Sequence, residues 1–165
     1  GCTLKNVLES IERCKSLGFW VESVTLVVPG FNDSEEELHN IAQFIAGISP
    51  DIPWHITAFH PDYKMTDVAP TDTDTIHRAY DQGKEAGLQF VYPGNLSGQV
   101  GDLENTCCPQ CNMTLIQRRG FYVIENRMQG GACPDCKTRI PGVWEDVPPS
   151  SSTGSGLPRA LGLRR

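Results

Sequence analysis

Seven cysteines are spread over the 165 residues, and five of them fall between positions 107 and 136. Four of the five form two matching turns, Cys108-Pro109-Gln110-Cys111 and Cys133-Pro134-Asp135-Cys136. A CxxC turn brings both sulfurs to one side of a tight backbone, so two facing turns offer four thiolates at tetrahedral corners about 2.3 Å from one ion. The pattern predicts a zinc site built from Cys108, Cys111, Cys133 and Cys136. A rubredoxin-like iron site uses the same donors, and spacing alone leaves zinc and iron open. A pair of redox dithiols is a weaker third reading, because oxidation would dismantle the metal site. With all four positions filled by protein, the ion is structural and not catalytic. An odd count clustered in this way suits a reducing compartment better than a disulfide framework, so a cytoplasmic protein is expected.

The elements that hold these turns can be read around them. Residues 115 to 119 and 121 to 126 flank Gly120 as two strands of a hairpin, which makes residues 107 to 145 a small zinc ribbon. A module of that size buries too little core to fold unaided, whereas a structural zinc supplies apparent binding energy on the order of 10 kcal/mol. Asn112 and Lys137 stand where such knuckles commonly carry glycine, so each must accept a positive φ. Cys107 is a spare thiol, and Cys2 and Cys14, with no third partner nearby, are read as packing residues. Arg118, Arg119 and Arg127 belong to a solvated hairpin face, with phosphate contact as the alternative.

Upstream, helices and strands alternate. Leu4, Val7, Leu8, Ile11 and Leu17 recur at helical spacing and Gly18 follows as a stop, so residues 4 to 17 form an amphipathic helix. Residues 21 to 28 are rich in β-branched side chains and read as a strand covered on both faces, ended by Pro29-Gly30. Ser34 and Glu37 make a capping box for a second helix whose buried stripe is Leu38, Ile41, Ala42, Ile45 and Ile48. Residues 54 to 59 form a second strand ending at His60-Pro61, and a loop over 62 to 71 follows. A third helix, capped by Asp72 or Thr73 and stopped by Gly87, leads to a third strand over residues 88 to 92. Strands joined by such helices run parallel with right-handed crossovers, so their carboxyl ends share one rim, where α/β proteins place their chemistry. Asn32, His60 with Tyr63 after it, and Asn95 all follow strand ends on that rim. His55 is read as a packing residue, and His39 and His77 as exposed on helices.

The predicted fold class is therefore α/β: residues 1 to 95 as a segment of a parallel (β/α) barrel or an open sheet, 96 to 106 as a linker, 107 to 145 as the ribbon, and 146 to 165 as a disordered tail too poor in apolar groups to fold. With 39% apolar and 21% charged residues the chain is globular, and no apolar run approaches the roughly 20 residues of a membrane helix. The net charge of −6 sits on the body, since residues 1 to 105 carry 16 acidic and 6 basic side chains. That balance argues against nucleic-acid binding outside the ribbon. The chain opens on Gly1 directly before a helical pattern, and reads as a piece of a longer protein.

Four strings in order, Leu26-Val-Val-Pro-Gly-Phe-Asn-Asp33, Pro53-Trp-His-Ile-Thr-Ala-Phe-His-Pro-Asp-Tyr-Lys64, Gly87-Leu-Gln-Phe-Val-Tyr-Pro-Gly-Asn95 and Glu104-Asn-Thr-Cys-Cys-Pro-Gln-Cys111, resemble the carboxyl-terminal half of the AmmeMemoRadiSam-system radical SAM enzymes. These are relatives of the pyruvate formate-lyase activating enzymes. The likeness continues through Arg119-Gly-Phe-Tyr-Val123, Glu125-Asn126 and Pro141-Gly-Val-Trp144. It implies a partial (β/α)6 barrel that works with a 4Fe-4S cluster and S-adenosylmethionine, generating a 5′-deoxyadenosyl radical that abstracts a substrate hydrogen. It also implies His60 as the principal cofactor contact, with Asn32, Tyr63 and Asn95 as further ones. The implied partners are the protein's missing amino-terminal half, a protein or small-molecule substrate, and Memo-like and AMMECR-like proteins. The family's CxxxCxxC cluster loop is absent: Cys107 and Cys111 give a CxxxC, but Thr114 stands where the third cysteine would be. The chain alone is therefore expected to be inactive. A zinc-ribbon module that docks a protein or nucleic acid, with the α/β part as scaffold, is the competing reading.

Overall fold

The computed structural model describes residues 3 to 144, so the tail at 146 to 165 and Cys2 lie outside the described residues. Helix α1 (Leu4–Ser16) starts at Thr3, whose hydroxyl accepts from the Asn6 N–H, and stops where Gly18 takes φ 84°. Strand β1 (Ser23–Val27) leads through the Pro29-Gly30 turn to α2 (Glu35–Ile48), and Ser34 Oγ caps the Glu37 N–H of that helix. Glu35, Glu36 and Glu37 fill its first turn, where the helix dipole favours negative charge. Strand β2 (Trp54–Ala58), helix α3 (Thr73–Glu85) and strand β3 (Val91–Gly94) complete the body. Asp72 is the α3 cap, its carboxylate accepting from the Thr75 N–H at 2.6 Å.

The three strands form a parallel sheet in the order β1-β2-β3, with Ser23 opposite Trp54 and Trp54 opposite Val91. Strand residues alternate between faces, and the helices cover only one of them. Val27, Trp54, Ile56, Ala58 and Val91 pack with Leu38, Ala42 and Ile45 of α2 and Ile76 and Ala79 of α3 in one core. On the opposite face Val24 remains 68% exposed and Leu26 47%. The expectation that the first strand is covered on both faces is thus corrected: its continuous apolar run includes two side chains that no described element covers. Helix α1 likewise buries none of its residues.

The third strand begins three residues later than its sequence pattern indicates. Leu88 instead finishes α3, donating its N–H to Gly83 O while its side chain enters the core, so the helix ending takes the apolar residue that reads as the start of the strand.

Residues 96 to 106, read as a linker, carry a 3-10 turn at Gly101–Glu104 and place Val100 in the main core. They lead into β4 (Thr106–Cys107), which pairs antiparallel with β5 (Thr114–Arg119), and β5 pairs with β6 (Tyr122–Asn126). This second sheet has its own core of Cys108, Leu115, Ile116, Cys133 and Ile140, and Phe90 from the body joins it. Among the described residues no helix is long and apolar enough to cross a membrane.

Candidate functional site

The two CPxC turns are near copies in backbone hydrogen bonding. Cys108 N–H donates to Met113 O and the Asn112 N–H returns to Cys108 O, while Cys133 N–H donates to Thr138 O and the Lys137 N–H returns to Cys133 O. Asn112 and Lys137 close the turns at φ 59° and 62°, the strained conformation their positions demanded. The turns face each other so that all four Sγ atoms lie within 4.8 Å of one another. Cys108 Sγ is 3.5 Å from Cys136 Sγ, and Cys111 Sγ is 3.7 Å from Cys133 Sγ. A tetrahedral ion with sulfur at about 2.3 Å requires sulfur separations of about 3.8 Å, so these four cysteines can hold a metal ion such as zinc. Cys108 and Cys133 are buried and Cys111 and Cys136 reach the surface, so the ion would sit at the skin of the small core.

The thiols are unequal. Hydrogen bonds from the Thr138 hydroxyl and backbone lower the Cys136 thiol to about 6. The Met113 N–H favours a thiolate at Cys111, but desolvation and the three neighbouring thiols outweigh it and push that group up to about 12. A bound cation would resolve the conflict by favouring the thiolate form at all four positions. Cys107, outside the set, has its Sγ 4.0 Å from Thr114 Oγ1.

The rim residues divide. His60 and Asn95 line one cavity of about 350 Å³ at the carboxyl ends of β2 and β3, together with Ala58, Phe59, Pro70 and Thr71. Asn95, at φ 63°, donates its side-chain N–H to Ala58 O and so ties the ends of β2 and β3. Asn32 does not line that cavity: its Oδ1 accepts from the Val28 N–H at 2.7 Å and its Nδ2 donates to Leu26 O. Tyr63 is 83% exposed on the loop, with Lys64 over its ring. Buried Thr71 donates to Val27 O and accepts from the Phe59 N–H, fastening the loop under the rim.

A larger cleft of about 890 Å³ runs along the uncovered face of the parallel sheet, walled on its far side by the ribbon. Val24, His55, Thr57 and Tyr92 form its floor, and Arg118, Arg119, Phe121, Tyr122 and Trp144 its wall. His55, read in sequence as packing, stands in this cleft. Its Nε2 is 2.9 Å from Glu22 Oε2, and its ring lies 5.4 Å from that of Tyr92. Strand alternation already put His55 on the face opposite Trp54, which was the available signal.

Tyr92 connects the two sheets. Its hydroxyl is 2.9 Å from Thr106 Oγ1, Arg118 lies over its ring, and burial holds its ionisation above the ordinary tyrosine value. Glu104 adds a second tie, accepting from the Gly120 N–H at 3.0 Å and the Gly98 N–H at 3.5 Å.

No family model and no solved structure matches the chain. It is similar to an uncharacterized protein of the archaeon Methanocaldococcus jannaschii, 40% identical over 141 residues that make up 84% of this chain and 42% of that protein. The chain therefore spans less than half the length of this relative.

Proposed function

We propose that this chain is the carboxyl-terminal portion of a radical SAM enzyme, furnishing one wall of the reaction chamber and a structural zinc ribbon that closes its side. The observation that carries the reading is the parallel sheet with both crossover helices on one face and, on the other, an aromatic-lined cleft that also holds His55, Arg118 and Arg119. Strands that advance in sequential order with every helix outside are the building unit of a (β/α) barrel, whose interior is the bare face. Doubly wound sheets put helices on both sides. The four strings that resemble the AmmeMemoRadiSam-system enzymes fall on the ends of β1, β2 and β3 and on the first cysteine turn.

In this reading the four-cysteine set holds zinc, which has no open position and acts by fixing the ribbon. The four sulfurs lie within the span of one ion, too close together for a four-iron cube, and no other group of metal ligands occurs among the described residues. The 4Fe-4S cluster therefore belongs to the rest of the protein and would there supply the electron that cleaves S-adenosylmethionine. His60 and Asn95 border the rim where that cofactor would reach this chain. Asn32 and Tyr63 take lesser parts, since the amide of Asn32 is engaged at both ends.

The test is anaerobic reconstitution with iron and sulfide of the chain joined to the sequence that precedes it in its gene. A 4Fe-4S absorption band and 5′-deoxyadenosine released from S-adenosylmethionine are expected. A joined protein that takes up neither cluster nor cofactor refutes the reading.

A further inference from the structure

The wall of the large cleft carries two adjacent arginines on strand β5, Arg118 and Arg119. Successive strand residues normally point to opposite faces, yet Arg118 and Arg119 both line the cleft. The ladder is irregular beside them: pairing runs Gln117 with Glu125 and then Arg118 with Val123, so Ile124 is an extra residue on the partner strand β6. Bulges of this kind are common beside binding sites.

Arg118 is half-buried, and among the described residues its guanidinium has one hydrogen-bond partner, the uncharged Thr106 hydroxyl. Neither arginine forms an ion pair with a described carboxylate. The two acids lining the same cleft are already committed, Glu22 to Trp20 Nε1 and His55, and Glu104 to the N–H groups of Gly98 and Gly120. A half-buried cation beside satisfied acids, in a chain whose net charge is −6, keeps its remaining donors for something else. Planar guanidinium forks match the oxygens of carboxylates and phosphates, and around them stand Tyr92, Phe121, Tyr122 and Trp144, with Phe121 and Tyr122 more than 80% exposed.

We infer that Arg118 and Arg119 form an anion subsite of the cleft, for a small molecule carrying a carboxylate or phosphate on a flat apolar body that lies against these aromatic rings. As the substrate's head-group site it rests on the reading proposed above; as a binding site it stands on this chain alone.

The probes are phenyl phosphate, benzoate and benzyl alcohol, which share one ring and differ in the head group. Each is titrated into the zinc-loaded chain and followed by nitrogen-proton correlation spectra. Phenyl phosphate or benzoate should move the Arg118 and Arg119 side-chain signals and the Gly120 amide. The order of the two assigns the head group, and the neutral alcohol should leave these signals in place. Arg119→Gln alters an exposed side chain and should weaken the anion roughly tenfold, the worth of one charge-assisted hydrogen bond. Arg118→Lys keeps the charge, loses the fork and should weaken it as well. Equal shifts with benzyl alcohol, anion affinity unchanged in a folded Arg119→Gln chain, or no shift with either anion would overturn the assignment. None of these results bears on cluster formation, so failure here and failure of the radical reading are separate.

Discussion

Replacing Cys108 by serine tests whether a metal holds the ribbon. The side chain is 1% exposed, so the substitution removes one of four ligands and leaves a buried hydroxyl in its place, a desolvation cost of about 1–3 kcal/mol. Loss of the ion is the larger effect. At free metal a thousand times its dissociation constant, binding stabilises the folded form by about 4 kcal/mol. Since about 1 kcal/mol moves the midpoint of a small domain by at least about 4 °C, the ribbon should melt about 15 °C lower or more. The body has a separate core running from Val27 to Val100, so the loss should be confined. Hydrogen exchange should accelerate at Leu115, Ile116 and the Tyr92 end of β3 while β2 stays protected. Metal content by mass spectrometry should fall from about one ion per chain to none in Cys108→Ser, and Cys107→Ser, whose sulfur is outside the set, should keep its ion. Coincident melting curves for Cys108→Ser, chelator-treated chain and parent would refute the metal clip.

Glycine substitutions on two helices should act with opposite sign. A methyl at Gly83 would meet Val91 Cγ2 at 2.9 Å and the Trp54 ring at 3.0 Å, both buried, so the overpacking cost of about 1–3 kcal/mol exceeds the helix-propensity gain of about 1 kcal/mol. Gly47 of α2 has nothing within 4 Å of that position, and Gly47→Ala should stabilise by about 0.5–1 kcal/mol in urea unfolding; stabilisation by both would contradict the packing described. At the start of α3, the Thr75 N–H holds the Asp72 carboxyl below its ordinary value. A carboxyl lowered on folding contributes stability that is present above its unfolded value and fades as pH falls through the folded one. Asp72→Ala should therefore cost about 1 kcal/mol near neutrality, with the gap to the parent narrowing in acid, and a gap unchanged by pH would show that the charge takes no part in the cap.

The four-cysteine set was legible because each half of it is local. Two CPxC turns carry their geometry in four residues each, and even the positive φ of Asn112 and Lys137 follows from their place after the second cysteine. Helix limits were legible for the same reason, since Ser34, Asp72 and Gly18 act within one turn of chain. What depends on distant partners was not. Val24 and Leu26 have the composition of a doubly covered strand, and only the assembled sheet shows one face bare. The cleft was invisible for a similar reason: His55 and Arg118 are 63 positions apart and meet only because Tyr92 and Glu104 seat the ribbon beside the body.

Tyr92 gives that seating a thermodynamic consequence. It belongs to β3 by its backbone, floors the cleft with its ring and reaches the ribbon sheet through its hydroxyl, so the cleft cannot keep its shape if the ribbon lets go. Occupancy of the cysteine cage and occupancy of the cleft are then linked functions of one conformation. By reciprocity, whatever factor the ion adds to a guest's affinity, the guest adds to the ion's retention. An empty cage would thus cost more than a brace, because it would also loosen the cleft's hold on any guest.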